Sequence, residues 1–550
     1  MAEIKGAALV ARSLKDQGLQ ELFGVVGFPV TEIAYQAQEQ GLRYIGTRHE
    51  QTAGFAAQAI SYLRGHVGAA LTITGPGMTN AVTALGNAWA NCWPFLLISG
   101  SADRRHSHRG AFQDAPQLDA ARPFCKWVGQ ATRVEEIPRL VAQAVRKAWH
   151  GRPGPVYLDV PADVINGMAD EDHLEPAERV EPPPRPGADP AAIDEALALL
   201  RGAERPLLIV GKGAAWADAA PELRHFADRT GIPFLPSPMG KGVIPDDHPG
   251  SIAAARSYAL KNADVILAVG VRFNWMMHFG LPPRYGADVK VIQIDIAPDD
   301  TGTNVPLAVS LAADAKTAMA QIAAGLEEAP WQCDPKGPWR TALAGELEKN
   351  RGNLQPLMES GDVPMGYYRP LMELQRALPQ EAIVIAEGAN TMDISRAILE
   401  NYRPRHRLDA GSWGTMGVGV GYALAAAVAH PETPVVALMG DGAFGFSGMD
   451  VEVAVRYKLP ITWVIFNNNG IGSGVPELPE DGPPPVQVFS PGLRYDKMME
   501  AFGGKGYYCE TPDELSAALK AEIGSPEPAL ISVAIDPAAR PFSSRYAWLA

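Results

Sequence analysis

The chain is short of positive charge. Its 550 residues carry 48 Lys and Arg against 62 Asp and Glu, a formal net charge of −14, which argues against nucleic acid or an anionic membrane as the main partner. Local basic clefts remain compatible with that balance, so anionic small ligands are not excluded. Cysteine is scarce as well. Cys92, Cys125, Cys333 and Cys509 show no paired spacing, which rules out a disulfide framework and favours reduced thiols in a cytosolic protein. No stretch approaches the ~20 apolar residues of a membrane span. The start, Met1-Ala2-Glu3-Ile4-Lys5-Gly6, lacks the apolar run of a secretion signal, and Trp548-Leu549-Ala550 is no peroxisomal address. A cytoplasmic protein is expected.

What is present is an ordinary globular composition, 47% hydrophobic and 20% charged, in a chain too long for one core. Two stretches break its rhythm: residues 169–190, with Pro182-Pro183-Pro184, and the polar residues 327–363, with a helix expected around Trp339 to Lys349. They leave segments 1–168, 191–326 and 364–540, then a tail, 541–550, that could fold over a ligand as a lid. Each segment alternates buried-strand runs with helical patterns, as in Gly68–Ile73, Pro206–Val210 and Ile461–Phe466. The fold class is therefore α/β, three doubly wound parallel-sheet domains. No short internal repeat is visible.

The most informative segment is Gly440-Asp441-Gly442, at the carboxyl end of an expected strand ending at Met439. Open α/β sheets place ligands at such ends. Twenty-four residues further on, the strand Ile461–Phe466 runs into Asn467-Asn468-Asn469-Gly470. That spacing is one strand–helix–strand crossover, so the two turns should be neighbours. A carboxylate, an amide oxygen and Gly-rich backbone then converge, hard oxygen donors that suit Mg²⁺ and leave sites for phosphate oxygens.

At these residues the chain resembles the thiamine-diphosphate enzyme superfamily. The resemblance implies a pyrimidine-binding, a middle and a diphosphate-binding domain in that order, with Asp441, the Asn468 side chain and the Gly470 carbonyl binding Mg²⁺. It places Ala443, Phe444 and Asn390 against the diphosphate, and Pro76, Asn80, Ala389, Thr391, Gly440, Gly442 and Ile471 around the cofactor. It makes Glu50, in Thr47-Arg48-His49-Glu50-Gln51, the carboxylate that activates the pyrimidine ring, a task served by a dry pocket. Met416, in Gly414-Thr415-Met416-Gly417, would hold the cofactor bent, with the Gly414 carbonyl accepting from its amino group. Because Glu50 and Asp441 lie on different domains, the family arrangement places the active site between subunits, hence a homodimer at minimum and commonly a homotetramer.

Longer strings, including Val26–Ile33, His278–Tyr285, Glu387–Asp393 and Arg403–Gly411, resemble the branch containing 2-hydroxyacyl-CoA lyase and oxalyl-CoA decarboxylase. Both act on CoA thioesters and release formyl-CoA through a carbanion that the thiazolium stabilises as an electron sink. Gly110-Ala111-Phe112-Gln113-Asp114 resembles the lyase pattern: Phe112 suits an alkyl or aryl group, and Gln113 can hydrogen-bond a substrate hydroxyl or carbonyl. An oxalyl-CoA decarboxylase and an acetolactate-synthase-like 2-keto acid enzyme are the alternatives. Where the branch usually has a Tyr after Asn-Gly-Ile, this chain has Gly472, which is expected to open the aldehyde side of the pocket. Val26, Phe28, Arg256, Arg403, Arg405 and Arg407 are candidate contacts for the CoA thioester. Arg152, Lys212, Arg272 and Asp295 are candidates for a regulatory ADP in the middle domain, set against a bare Gly-rich turn at Gly211-Lys212-Gly213.

Overall fold

The computed structural model describes residues 3–107 and 109–542. Three parallel sheets form its frame, each with short central strands that are buried along most or all of their length. Buried parallel strands read as unbroken apolar runs. The strands Gly68–Thr72, Pro206–Val210 and Ile461–Asn467 accordingly lie within a residue or two of where such runs stand in the sequence.

In the first sheet the spatial order is Arg43–Gly46, Glu21–Gly24, Gly68–Thr72, Phe95–Ser101, Pro155–Pro161 and Trp127–Gln130. Numbered along the chain within the sheet, that is 2-1-3-4-6-5. The third sheet runs Arg407–Asp409, Ile383–Glu387, Val435–Gly440, Ile461–Asn467, Ala529–Ala534, Lys505–Cys509, again 2-1-3-4-6-5. The middle sheet has five strands in the order 2-1-3-4-5. The first and third domains thus share a topology that the sequence did not disclose as a repeat.

Two helices join these domains. Glu50–Arg64 and Val418–Ala429 each follow the second strand of their sheet, so they are topologically equivalent, and they pack face to face. Both are buried along nearly their whole length, and small residues let their backbones approach. A methyl group on Gly421 would stand 2.8 Å from Phe55 Cβ and 2.9 Å from the Thr52 carbonyl oxygen. The polar groups between them are satisfied: Asn87 donates to Gln58 Oε1 at 2.8 Å and to the Tyr422 hydroxyl at 2.7 Å.

The connections differ from the expected linkers. Residues 169–190 begin with a two-stranded antiparallel pairing of Met168–Asp170 on Glu3–Lys5, and the polyproline run then borders a cavity. The polar stretch 327–363 contains a helix, Pro338–Met358, longer than the sequence suggests. It buries Trp339 and Leu343, and Trp339 donates to the Pro206 carbonyl at 3.0 Å. One narrow apolar stripe on a charged helix is easily read as a linker. Of the tail, residues 543–550 lie outside the described residues, so the lid expected there is not addressed by the fold.

Gly421→Ala should destabilise the protein by about 2 kcal/mol, because the methyl group meets a backbone oxygen that cannot yield. Urea midpoints at unchanged slope would measure it; an unshifted midpoint would mean that the helix pair can spread.

Candidate active site

Three adjacent strands of the third sheet end at one place. Glu387 pairs in register with Met439, and Gly440 with Phe466, so the turns that follow Glu387, Gly440 and Asn467 lie side by side. Gly388 has φ +92°, and a methyl group there would fall 2.7 Å from Thr391 Oγ and 3.2 Å from Gly440 N. Only a glycine permits that approach. Ala389, Asn390 and Thr391 are thereby set beside Gly440-Asp441-Gly442.

Asp441 is buried, and its two oxygens accept from Gly442 N at 2.7 Å and Gly470 N at 3.1 Å. Burial pushes its carboxyl up to about 6 against those backbone donors. Asn468 donates its amide hydrogens to the Tyr367 hydroxyl at 3.0 Å and the Gly472 carbonyl at 2.8 Å, which leaves its amide oxygen to a further partner. With the peptide oxygen of Gly470 nearby in the chain, a carboxylate, an amide and a peptide oxygen could serve as donors. This donor set fits a small hard cation. Ala443 and Phe444 are buried in the same turn, while Ile471 is exposed.

On the first domain, Glu50 opens the buried Glu50–Arg64 helix and is itself 7% exposed. Asn80 donates to its Oε2 at 3.0 Å. Asn80 ends the short helix Pro76–Asn80, whose Gly77 stands so close that a methyl group would lie 3.0 Å from Glu50 Oε1. The loop carrying Phe112 and Gln113 packs on the start of that helix: Thr74 donates to the Gln113 carbonyl at 3.2 Å, and Gly75 leaves no room for a side chain against it. Gln113 has φ +58°, and its Oε1 is buried without a partner. An unpaired buried oxygen of this kind is costly unless something supplies a donor. Phe112, 67% exposed, meets Phe28 edge to face at 5.7 Å, and Val26 is also exposed nearby in sequence. Glu50, Pro76, Asn80, Phe28, Phe112 and Gln113 therefore form one group.

Met416 is half-buried against the core beneath the exposed Gly414. The residue that fixes this loop escaped sequence reading. Glu387 is wholly buried and accepts from the backbone N–H groups of Gly417 and Gly419, the start of the Val418–Ala429 helix. Burial pushes it up to about 8, opposed by those amides and by Val418 N–H. It ties the Ala389–Thr391 turn to the Met416 loop. Its only signal in the sequence was a carboxylate at the end of an apolar strand.

The arginines do not form one group. Arg407 is 0% exposed on the strand Arg407–Asp409 and donates to Ser395 Oγ at 2.8 Å, so it cannot reach a ligand in solvent. Arg405 donates to the Ala215 and Trp216 carbonyls and to Asp218, all in the middle domain. It borders a cavity of about 550 Å³ between the first and middle domains, which Arg152, Lys212, Arg272 and Asp295 also line. There Arg152 donates to Asp295 at 2.7 Å and Lys212 to Asn91 Oδ1 at 2.8 Å, with Lys212 Nζ 5.5 Å from the Trp93 ring. Arg403 is exposed, with its backbone against Gly242. Arg256 is held by the Met276 carbonyl at 2.8 Å and feels the charges of Arg396 and Arg284.

Sequence models of the thiamine pyrophosphate enzymes match three parts of the chain: the N-terminal TPP binding domain over residues 4–121, the central domain over 193–322, and the C-terminal TPP binding domain over 386–533. The chain belongs to the thiamine pyrophosphate enzymes. It is 44% identical to 2-hydroxyacyl-CoA lyase 1 of Mus musculus, the alignment covering 100% of this chain and 97% of the relative. Identity is 43% with 2-hydroxyacyl-CoA lyase of Oryza sativa, over 99% and 97%. It is 42% with oxalyl-CoA decarboxylase of Escherichia coli K12, over 97% and 95%. In such an enzyme the first and third domains bind thiamine diphosphate, the two domains that here share a topology.

Asp441→Asn should abolish metal-dependent binding of thiamine diphosphate, read by quenching of tryptophan fluorescence. Glu50→Gln should leave that binding near wild type and lower turnover by about 10²- to 10⁴-fold, the range of a lost acid–base group. Equal effects of both changes on binding would contradict this division.

Proposed function

We propose that the protein is a carbon–carbon lyase that splits a 2-hydroxyacyl-CoA into formyl-CoA and an aldehyde or ketone, with thiamine diphosphate and Mg²⁺ as cofactors. The observation that carries this reading is the exposed apolar pair Phe28 and Phe112 beside the Glu50 group. Such a wall favours an alkyl or aryl substituent and would leave a second carboxylate poorly solvated.

Asp441, Asn468 and the Gly470 carbonyl are the proposed Mg²⁺ ligands. The turns at Ala389–Thr391 and Gly440–Phe444, with Ile471, take the diphosphate. When bound, the thiazolium accepts the electron pair released as the bond between the substrate's carbonyl and hydroxyl-bearing carbons breaks. Glu50, in its dry setting, exchanges the proton that activates the pyrimidine ring. Gln113 holds the substrate hydroxyl or carbonyl with its amide. Gly414 and Met416 fix the cofactor's bend. Gly472 supports a wide aldehyde side: a side-chain carbon there would meet nothing within 4 Å. Arg256, with Arg396 and Arg284 beside it, and the exposed Arg403 suit the phosphates of CoA. Phe446, Met449 and Ile471 are exposed apolar residues around the metal-binding turns, which supports a second copy covering them and an active site shared within a homodimer or homotetramer. No helix among the described residues is long and apolar enough to cross a membrane. The four free thiols fit the proposed cytoplasmic location.

The test is co-product analysis. A 2-hydroxyacyl-CoA should yield an aldehyde or ketone, and oxalyl-CoA little carbon dioxide. Carbon dioxide from oxalyl-CoA alone would make the protein a decarboxylase and remove the role given to Phe112.

The 550 Å³ cavity is proposed to take ADP, its phosphates against Arg152, Lys212 and Arg272. Burial lowers Lys212 to about 7, with the Arg272 charge adding to the effect. The ammonium form then prevails below pH 7, so ADP affinity should fall as pH rises through 7. Calorimetric titration should show the step in the wild type and none in Lys212→Met; a pH-independent wild type would exclude the lysine from the contact.

A further inference from the structure

The segment around Glu50 is held from the other end of the chain. Asp450 is 1% exposed and belongs to the third domain, nine residues after Asp441. Its Oδ1 accepts from Arg48 N at 2.6 Å and its Oδ2 from Thr52 Oγ at 2.8 Å. One carboxylate therefore straddles Glu50, bonding the residues two before and two after it. Two neighbours of Asp450 extend the grip. The Tyr457 hydroxyl accepts from Gly46 N at 2.9 Å, and Arg456 donates to the Gly46 carbonyl at 2.7 Å. Glu50's own domain supplies the His49 side chain, which accepts from Gln51 N at 3.1 Å, the Asn80 contact, and Thr47, whose hydroxyl donates to the His49 carbonyl at 2.9 Å and whose N–H donates to the Gly24 carbonyl at 2.9 Å.

We propose that Asp450 is a positioning residue that fixes the backbone of the Glu50 turn, so that the aim of the activating carboxylate is set by the third domain of its own chain. This rests on the role proposed for Glu50. A helix terminus has free N–H groups and frays unless they are tied. Here the His49 side chain caps Gln51 N, while a buried carboxylate about 400 residues distant along the chain holds the Arg48 backbone before the helix and the Thr52 hydroxyl within its first turn. Its two oxygens point to opposite sides of one turn, so losing them frees the turn to pivot without emptying the core. A misplacement near 1 Å can lower the efficiency of a positioned group by about 10²-fold.

The experiment reads proton loss directly, as the rate at which the C2 proton of bound thiamine diphosphate exchanges with deuterium, followed by quenched-flow NMR on the full-length holoenzyme. Cofactor dissociation constants and unfolding midpoints are measured alongside. Asp450→Ala should slow exchange by at least about tenfold, with cofactor affinity little changed, and Asp450→Asn should restore most of the rate. The Glu50→Gln/Asp450→Ala double variant should be no slower than Glu50→Gln alone, because the two act through one group. Wild-type exchange in Asp450→Ala, or slowing that multiplies with Glu50→Gln, would overturn the proposal. If Asp450→Ala fails to fold, the near-isosteric Thr52→Val removes one of the two bonds; it should slow exchange several-fold, and an unchanged rate there would equally overturn the proposal. Normal exchange in Glu50→Gln itself would instead refute the role of Glu50, a separate failure.

Discussion

The close packing of two buried helices, Glu50–Arg64 and Val418–Ala429, is the constraint on which the rest depends. Neither is amphipathic in the usual sense; both are enclosed nearly all round. Gly421 lets the backbone approach Thr52 and Ala56, and the Gln58–Asn87–Tyr422 bonds satisfy polar groups that this enclosure would otherwise strand. One helix starts at Glu50 and the other directly after Met416 and Gly417. Helix packing therefore sets where both elements stand, and a small change in the seam is transmitted to their N-terminal turns.

The equivalence of these helices follows from the shared strand order of the first and third sheets. Nothing in the sequence shows it as a repeat, for a physical reason. A buried parallel strand asks only for apolar residues of suitable volume, so two copies of one topology can diverge in identity while remaining legible as strands. Ligand-bearing positions diverge further, since one domain presents Glu50 after its second strand and the other Asp441 and Asn468 after its third and fourth. Edge strands such as Trp127–Gln130 and Lys505–Cys509 are only partly buried, and they left little trace in the pattern.

The same logic separates what could be read of the site from what could not. Asp441 and Asn468 sit in short local motifs whose spacing implies that they are neighbours, whereas the family resemblance singles out Glu50. Arg407 looked like a ligand contact because it stood in a run of arginines, Arg403-Pro404-Arg405-His406-Arg407. It lies buried on a strand two residues before Asp409, with which Arg396 pairs at 3.0 Å, and its own bond is to Ser395 Oγ. Whether a charged side chain faces solvent or a buried partner depends on the strand's position in the sheet, which a local string does not contain. Glu387 and Asp450 were missed for the converse reason: their partners are backbone amides and a hydroxyl brought in from distant segments.

Those partners also distinguish two kinds of buried carboxylate. Asp409 is paired with Arg396 and influenced by Arg407, which together lower its pKa against the opposing effect of burial. Such a group is spent on structure. Glu50, Glu387, Asp441 and Asp450 have no Arg or Lys within 4 Å among the described residues; they accept from peptide N–H groups, an amide or a hydroxyl. A dipolar donor orients a carboxylate without cancelling its charge. Asp441 therefore keeps the field that the proposed divalent cation needs, and Glu50 keeps an oxygen for the cofactor nitrogen that its proposed role requires. An ion pair at either place would give more local stability and be at odds with the proposed roles. The preference for peptide and amide partners is thus a requirement of the chemistry, met by strand ends and helix starts that only the folded chain brings together.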